Sequence, residues 1–202
     1  MGELWYQELS KFRITGGRVM KLKTLLWKIC NFPNLARGYL RCMKDNLGGA
    51  THPKARLYMR VLKYDDNGNL IDIENLGLVS VNVITDAGVA FIVDAFQGLV
   101  TLSNMKYHAS GTGTNPEAVG NTALQTEVGT RVAGTQGEGA SANIYSTVGL
   151  LSYSSSFFIT EHGLFSASSG GVLFDRSVFA AKAVDANTKL EVTYQVTLSS
   201  GG

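Results

Sequence analysis

The amino-acid sequence predicts a mainly β protein: an antiparallel β-sandwich, immunoglobulin-like or jelly-roll-like, with one short covering helix and a basic, partly helical N-terminal arm. Three observations carry this expectation. Apolar and polar side chains alternate in several short stretches, most cleanly over 189–198. These stretches recur at close spacing with turn residues between them. Glycine is abundant, at 23, and proline scarce, at 3, which suits short strands joined by many tight turns.

The chain divides near residue 50 into an arm with its linker, 1–50, and a β-domain, 51–202. Within the arm, Leu22, Leu25, Leu26 and Ile29 recur at helical spacing, and Pro33 stops or kinks the helix. "MKLKTLLWKICNF", from Met20, has the basic start of a secretory leader. Lys28 interrupts its apolar run and no small-residue cleavage site follows, so it is not read as one. Met20 and Met43 leave a later start of translation open. Cys30 and Cys42 are expected as free thiols, because no framework of spacings asks them to pair. "DNLGGATHP" reads as the linker.

In "ARLYMRVLK", Leu57, Met59 and Val61 share one face and Arg56, Tyr58 and Arg60 the other. Asn67–Gly68 supplies a hairpin turn, and "LIDIEN" returns with Ile71 and Ile73 inward. "LVSVNVIT" is read as a further strand, with Val79, Val81 and Val83 on one face. Thr85 or Asp86 caps the helix that follows, Val89, Ile92, Val93 and Phe96 form its core stripe, and Gly98 ends it. Strands are then expected around 105–110, 128–135, 143–151, 157–165, 172–179 and 189–198. In the last, Leu190, Val192, Tyr194, Val196 and Leu198 point one way. The stretches 110–124 and 133–143 are read as loops, the second as a flexible tip.

The formal net charge of +2 hides an asymmetry: residues 1–64 hold 13 Lys/Arg against 3 Asp/Glu, and the remainder 5 against 13. A basic arm on an acidic body attracts acidic partners, including another copy of that body. The arm carries no recognisable nucleic-acid motif, so nucleic acid is not the expected partner. No apolar stretch reaches the roughly 20 residues of a membrane span, and no membrane association is expected.

Glu161 and His162 stand side by side in "ITEHGLF". Successive strand residues face opposite sides, so the two cannot serve one substrate without a bulge, for which Gly163 is the candidate. No nucleophile or orienting group accompanies them, and they are placed at a strand end or subunit contact. His52, His108 and His162 lack metal-ligand spacing, so no metal is expected. "SGTGTNPEAVGNTAL" lacks both phosphate-loop patterns, no paired carboxylates or nucleophile elbow appear, and no cofactor or catalytic residue is assigned. A non-enzymatic contact module is the expectation.

From about residue 78, four strings occur in order: "VNVITDAGVAFIVDAFQG", "MKYHASGTGTNPEAVGNTALQTEVGTRVAGTQ", "ITEHGLFSASSGGVLFDRSVFAA" and "LEVTYQVTLSSGG". Together they resemble structural proteins of tailed-bacteriophage virions. The resemblance implies a β-sandwich component of the particle and brings no catalytic residues with it. A decoration or cement protein is expected, binding the major capsid protein or other virion proteins, and copies of itself, in the assembled virion. A tail-fibre or baseplate module is the first alternative. The second is a carbohydrate- or host-surface-binding module using Tyr145, Tyr153 and Phe157 as an aromatic strip. Expected contact residues are Lys21, Lys23, Lys28, Arg37 and Arg41 in the arm, Asn115, Glu117, Gln136 and Glu138 in the two loops, and Glu161 and His162.

Overall fold

A computed structural model of the chain describes residues 53–199. The arm, its expected helix and contact residues Lys21, Lys23, Lys28, Arg37 and Arg41 lie outside the described residues, as do His52 and both cysteines. The described residues form β1 (Lys54–Tyr64), β2 (Leu70–Ile84), α1 (Asp86–Phe96), a 3-10 turn (Leu102–Asn104), β3 (Tyr107–Gly111), β4 (Glu127–Ala133), β5 (Thr135–Glu138), β6 (Ile144–Ser152), β7 (Phe157–Phe165), β8 (Leu173–Val184) and β9 (Thr188–Thr197). Among the described residues no helix is long and apolar enough to cross a membrane.

Every strand pairing is antiparallel, and the spatial order is β4-β3-β7-β8-β2-β1-β9-β6-β5. The two ends of that order are consecutive pieces of chain. β4 pairs with β3 and β5 with β6, and between them Gly134 donates its N–H to the Lys106 carbonyl at 2.7 Å. Residues 127–138 thus nearly close the sheet on itself. β2 makes a second corner, pairing with β1 along its length but with β8 only through Val83 and Ile84.

Alternation places the core between the two halves. β1 and β9 pair Leu57 with Tyr194, Met59 with Val192 and Val61 with Leu190, so their apolar faces coincide. These residues meet Ile159 and Leu164 of β7 and Phe174 and Phe179 of β8. A smaller cluster of Ala109, Leu124, Phe165 and Leu173 forms a separate apolar layer. The first hairpin turns as expected. Asp65 accepts from the N–H groups of Asn67 and Asn69, and Gly68 takes φ +83°, which suits glycine.

Several expectations are corrected. "LIDIEN" and "LVSVNVI" are one 15-residue strand with register shifts near Gly77, not two strands. Ile71 and Ile73 are exposed rather than inward, because β8 joins β2 only at its far end and no second layer lies beneath residues 70–75. The stretch 133–143 holds β5, which completes the closure, where a flexible tip was expected.

Helix α1 starts as expected: Thr85 accepts at its hydroxyl from the Gly88 N–H at 2.9 Å and donates to the Leu173 carbonyl at 2.6 Å. The expected core stripe is turned outward, however. Val89, Val93 and Phe96 are exposed, Phe96 by 88%, while Gly88 and Phe91 are buried against the sheet and Ile92 is half-buried. Gly88 sets this rotation. A Cβ there would lie 2.5 Å from the Phe174 carbonyl oxygen, so only glycine lets the helix seat so closely on β8. Gly88→Ala should therefore cost about 1–3 kcal/mol of stability, read as a lower urea midpoint with an unchanged slope.

Candidate functional site

The centre of β7 carries both of the residues that drew attention in the sequence, and the strand sends them to opposite faces as alternation requires. Both are completely buried. Neither lies at a strand end or at the surface of the described fold, which corrects that expectation.

Glu161 faces the loop joining β3 to β4. Its Oε1 accepts from the backbone N–H groups of Gly113 at 3.0 Å and Thr126 at 2.8 Å, and its Oε2 accepts from Gln125 N–H at 3.0 Å. Arg176, on neighbouring β8, donates from Nε to Oε2 at 2.8 Å, and its Nη2 lies 2.8 Å from the same oxygen. Arg176 then reaches back into the loop, donating from Nη1 to the Asn115 carbonyl at 3.1 Å. One carboxylate and one guanidinium, both buried, thus bind both ends of the loop to the sheet. Burial pushes the Glu161 pKa upward. The Thr126 and Gln125 N–H groups and then Arg176 outweigh it, holding the carboxyl below its ordinary value. The backbone at Gly111 and Gly113 leaves the room: a Cβ on Gly113 would lie 2.5 Å from Glu161 Oε1.

His162 faces the interior. Its Nε2 lies 3.0 Å from His108 Nδ1, and His108 Nε2 lies 3.1 Å from Thr147 Oγ1 on β6. One proton fits between two facing ring nitrogens, so the contact requires at least one imidazole to be neutral. Burial lowers the His108 pKa to about 3, and burial followed by the His108 charge lowers that of His162 well below its usual value. Gly149 gives His108 its place, since a Cβ there would meet the ring at 2.6 Å. The His162 ring also stacks at 6.5 Å from Tyr194.

Next to this pair sits Asp175, fully buried, accepting from Ser177 Oγ at 3.1 Å. Burial raises its pKa well above the ordinary carboxyl value. Ser177, Tyr194 and Asn82 oppose the rise, and the Glu117 charge adds to it. Burial and then Asp175 raise the pKa of the Tyr194 hydroxyl. A carboxyl, two imidazoles and a phenol, each shifted by burial toward its neutral form, make a buried polar seam inside the nearly closed sheet. The imidazoles do converge, but in packed interior rather than in a cleft, and Glu161 is on the other side of the strand. Among the described residues no group of three or more His, Cys, Asp or Glu is placed to hold a metal.

The other expected contact residues are distributed differently. Asn115 and Glu138 are exposed, and Gln136 is half-buried, donating to Tyr145 Oη at 2.8 Å. Glu117 is buried, turned inward from the loop. The expected aromatic strip does not form: Tyr153 is buried, with its hydroxyl donating to Ser110 at 3.0 Å, and Tyr145 donates to the Met105 carbonyl at 2.7 Å. Reading the sequence missed Arg176 and Asp175. Their signal was two opposite charges side by side within the apolar run "VLFDRSVF", where alternation must send one to each face.

No family model, curated protein sequence or solved structure matches the chain.

Acid should separate the two faces. An unfolded histidine gains its proton near pH 6.5 and a buried neutral one does not, so stability is full above that pH. It declines as pH falls toward 3. Asp175 acts in the opposite sense, holding its proton in the fold where the unfolded chain has lost it above about pH 4. Between about pH 6.5 and 4 stability should fall as pH drops, by up to ~1.4 kcal/mol per pH unit for each histidine less the opposing contribution of Asp175. Urea titrations across that range check this, and His108→Gln should flatten the slope. Arg176→Met should cost about 3–5 kcal/mol at neutral pH, because it leaves a buried carboxylate without its cation.

Proposed function

We propose that the protein is a non-enzymatic structural component of a tailed-phage particle, a decoration or cement protein that binds the assembled head through repeated protein–protein contacts. The jelly-roll or immunoglobulin-like character of the sandwich belongs to the same proposal. The observation that carries it is the clasped loop. Residues 112–126 are held by the buried Glu161–Arg176 pair and three backbone N–H bonds to one carboxylate, yet the loop presents Thr114, Asn115, Pro116, Ala118 and Val119 at the surface.

Fixing a surface loop in advance removes ordering entropy from binding, and that gain is multiplied where many copies bind a symmetric shell. The side chains the loop exposes are small, polar or apolar, and suit contact. The order of the four strings in the sequence supports the virion context.

Purified protein should co-sediment with capsids and raise their resistance to heat. Val119→Arg, at an exposed loop position, should weaken that association by about tenfold, equivalent to ~1.4 kcal/mol, with the melting temperature unchanged. Protein that stays in the supernatant at low and moderate salt overturns the head assignment, and antibody labelling at tail tips moves it to the tail.

A further inference from the structure

We infer that the outward face of α1 is a docking site for the chain's own segment 20–32. Val89, Val93 and Phe96 lie at helix positions i, i+4 and i+7, so they form one stripe, and all three are exposed. Leu99 and Leu102, just beyond the helix, are 69% and 54% exposed and extend the apolar surface. An exposed cluster of this kind is ordinarily covered by a partner.

Three observations select the occupant. The first is where the described chain begins. Lys54 opens β1, Ala55 pairs with Asn82, and β2 ends at Ile84, immediately before the Thr85 cap of α1. The arm therefore enters the fold one strand away from the start of the helix, roughly 5 Å in the sheet. The second is reach. Residues 33–52 separate the segment from that entry point, and a chain of that length can reach at most roughly 70 Å. The 11-residue helix is about 16 Å long, so the whole stripe lies within range. Tethering at this distance gives effective concentrations of order millimolar, far above those at which a second copy competes in dilute solution.

The third observation is complementarity. Segment 20–32 carries Leu22, Leu25, Leu26 and Ile29 at helical spacing, with Lys21, Lys23 and Lys28 beside them. From Asp86 to Met105 the receiving stretch has Asp86 and Asp94 and no Lys or Arg. The lysines among the leucines of the segment complement the two aspartates of the receiving stretch. This assignment is independent of the virion reading.

Cys30 provides the test. In full-length protein with Cys42→Ser and Val93→Cys, mild oxidation at low micromolar concentration should join Cys30 to residue 93 within one chain. The product would run at monomer mass, and peptide mapping would identify the link. A disulfide-linked dimer as the main product assigns the face to a second copy and overturns the proposal, and so does the lack of a link between the two positions. A second variant, Leu25→Asp with Leu26→Asp, should raise the fluorescence of an apolar-surface dye severalfold while the β-sheet circular dichroism stays unchanged. Unaltered dye binding also overturns it.

Discussion

The buried Glu161 carboxylate organises much of the surface of this molecule. Three backbone amides from two separated points of one loop and one guanidinium from the neighbouring strand converge on its two oxygens. A buried charge is tolerated only when its hydrogen-bonding capacity is filled, and here the filling comes mainly from a loop with no regular structure of its own. The dependence runs both ways. The carboxylate needs the loop to remain ionised in the interior, and the loop needs the carboxylate to keep one conformation. Arg176 closes the circuit by donating to the Asn115 carbonyl as well as to Glu161.

The inner face of the same strand works by exclusion instead. Burial shifts His108, His162, Asp175 and Tyr194 toward their neutral forms, and the two imidazoles share a hydrogen bond while the His162 ring stacks on Tyr194. Apolar residues would fill that space at less risk. A polar seam offers direction: His108 on β3 touches Thr147 on β6, and so ties the two halves of the barrel near the point where β4 passes into β5. Such a bond favours one relative placement of the two halves, which hydrophobic packing alone specifies less sharply.

Much of this was legible in the residues. Alternation in β1 and β9 identified Leu57, Met59, Val61, Leu190, Val192, Tyr194 and Val196 as inward, although Leu198, counted with them, is exposed, and of the two caps expected, Thr85 and Asp86, Thr85 is the one used. What failed was whatever depended on the second layer. Ile71 and Ile73 alternate as a buried face should, but the sheet that would cover them turns away at Val83. The stripe on α1 has helical period, but the side that docks was chosen by the smallness of Gly88 rather than by its neighbours' hydrophobicity. Glu161 and His162 were assigned to opposite faces correctly. Their burial was hidden because their partners lie 15 and 54 residues away.

The adjacency of those two residues has a consequence for how the strand finds its place. Sliding β7 by a single position would turn the carboxylate to the face of the imidazole seam and the imidazole to the face of the amide cradle. Neither compartment could solvate its visitor. Apolar strands tolerate misalignment because one branched side chain resembles the next. Here a pair of unlike neighbours serves as a key cut on both edges, and only one alignment turns.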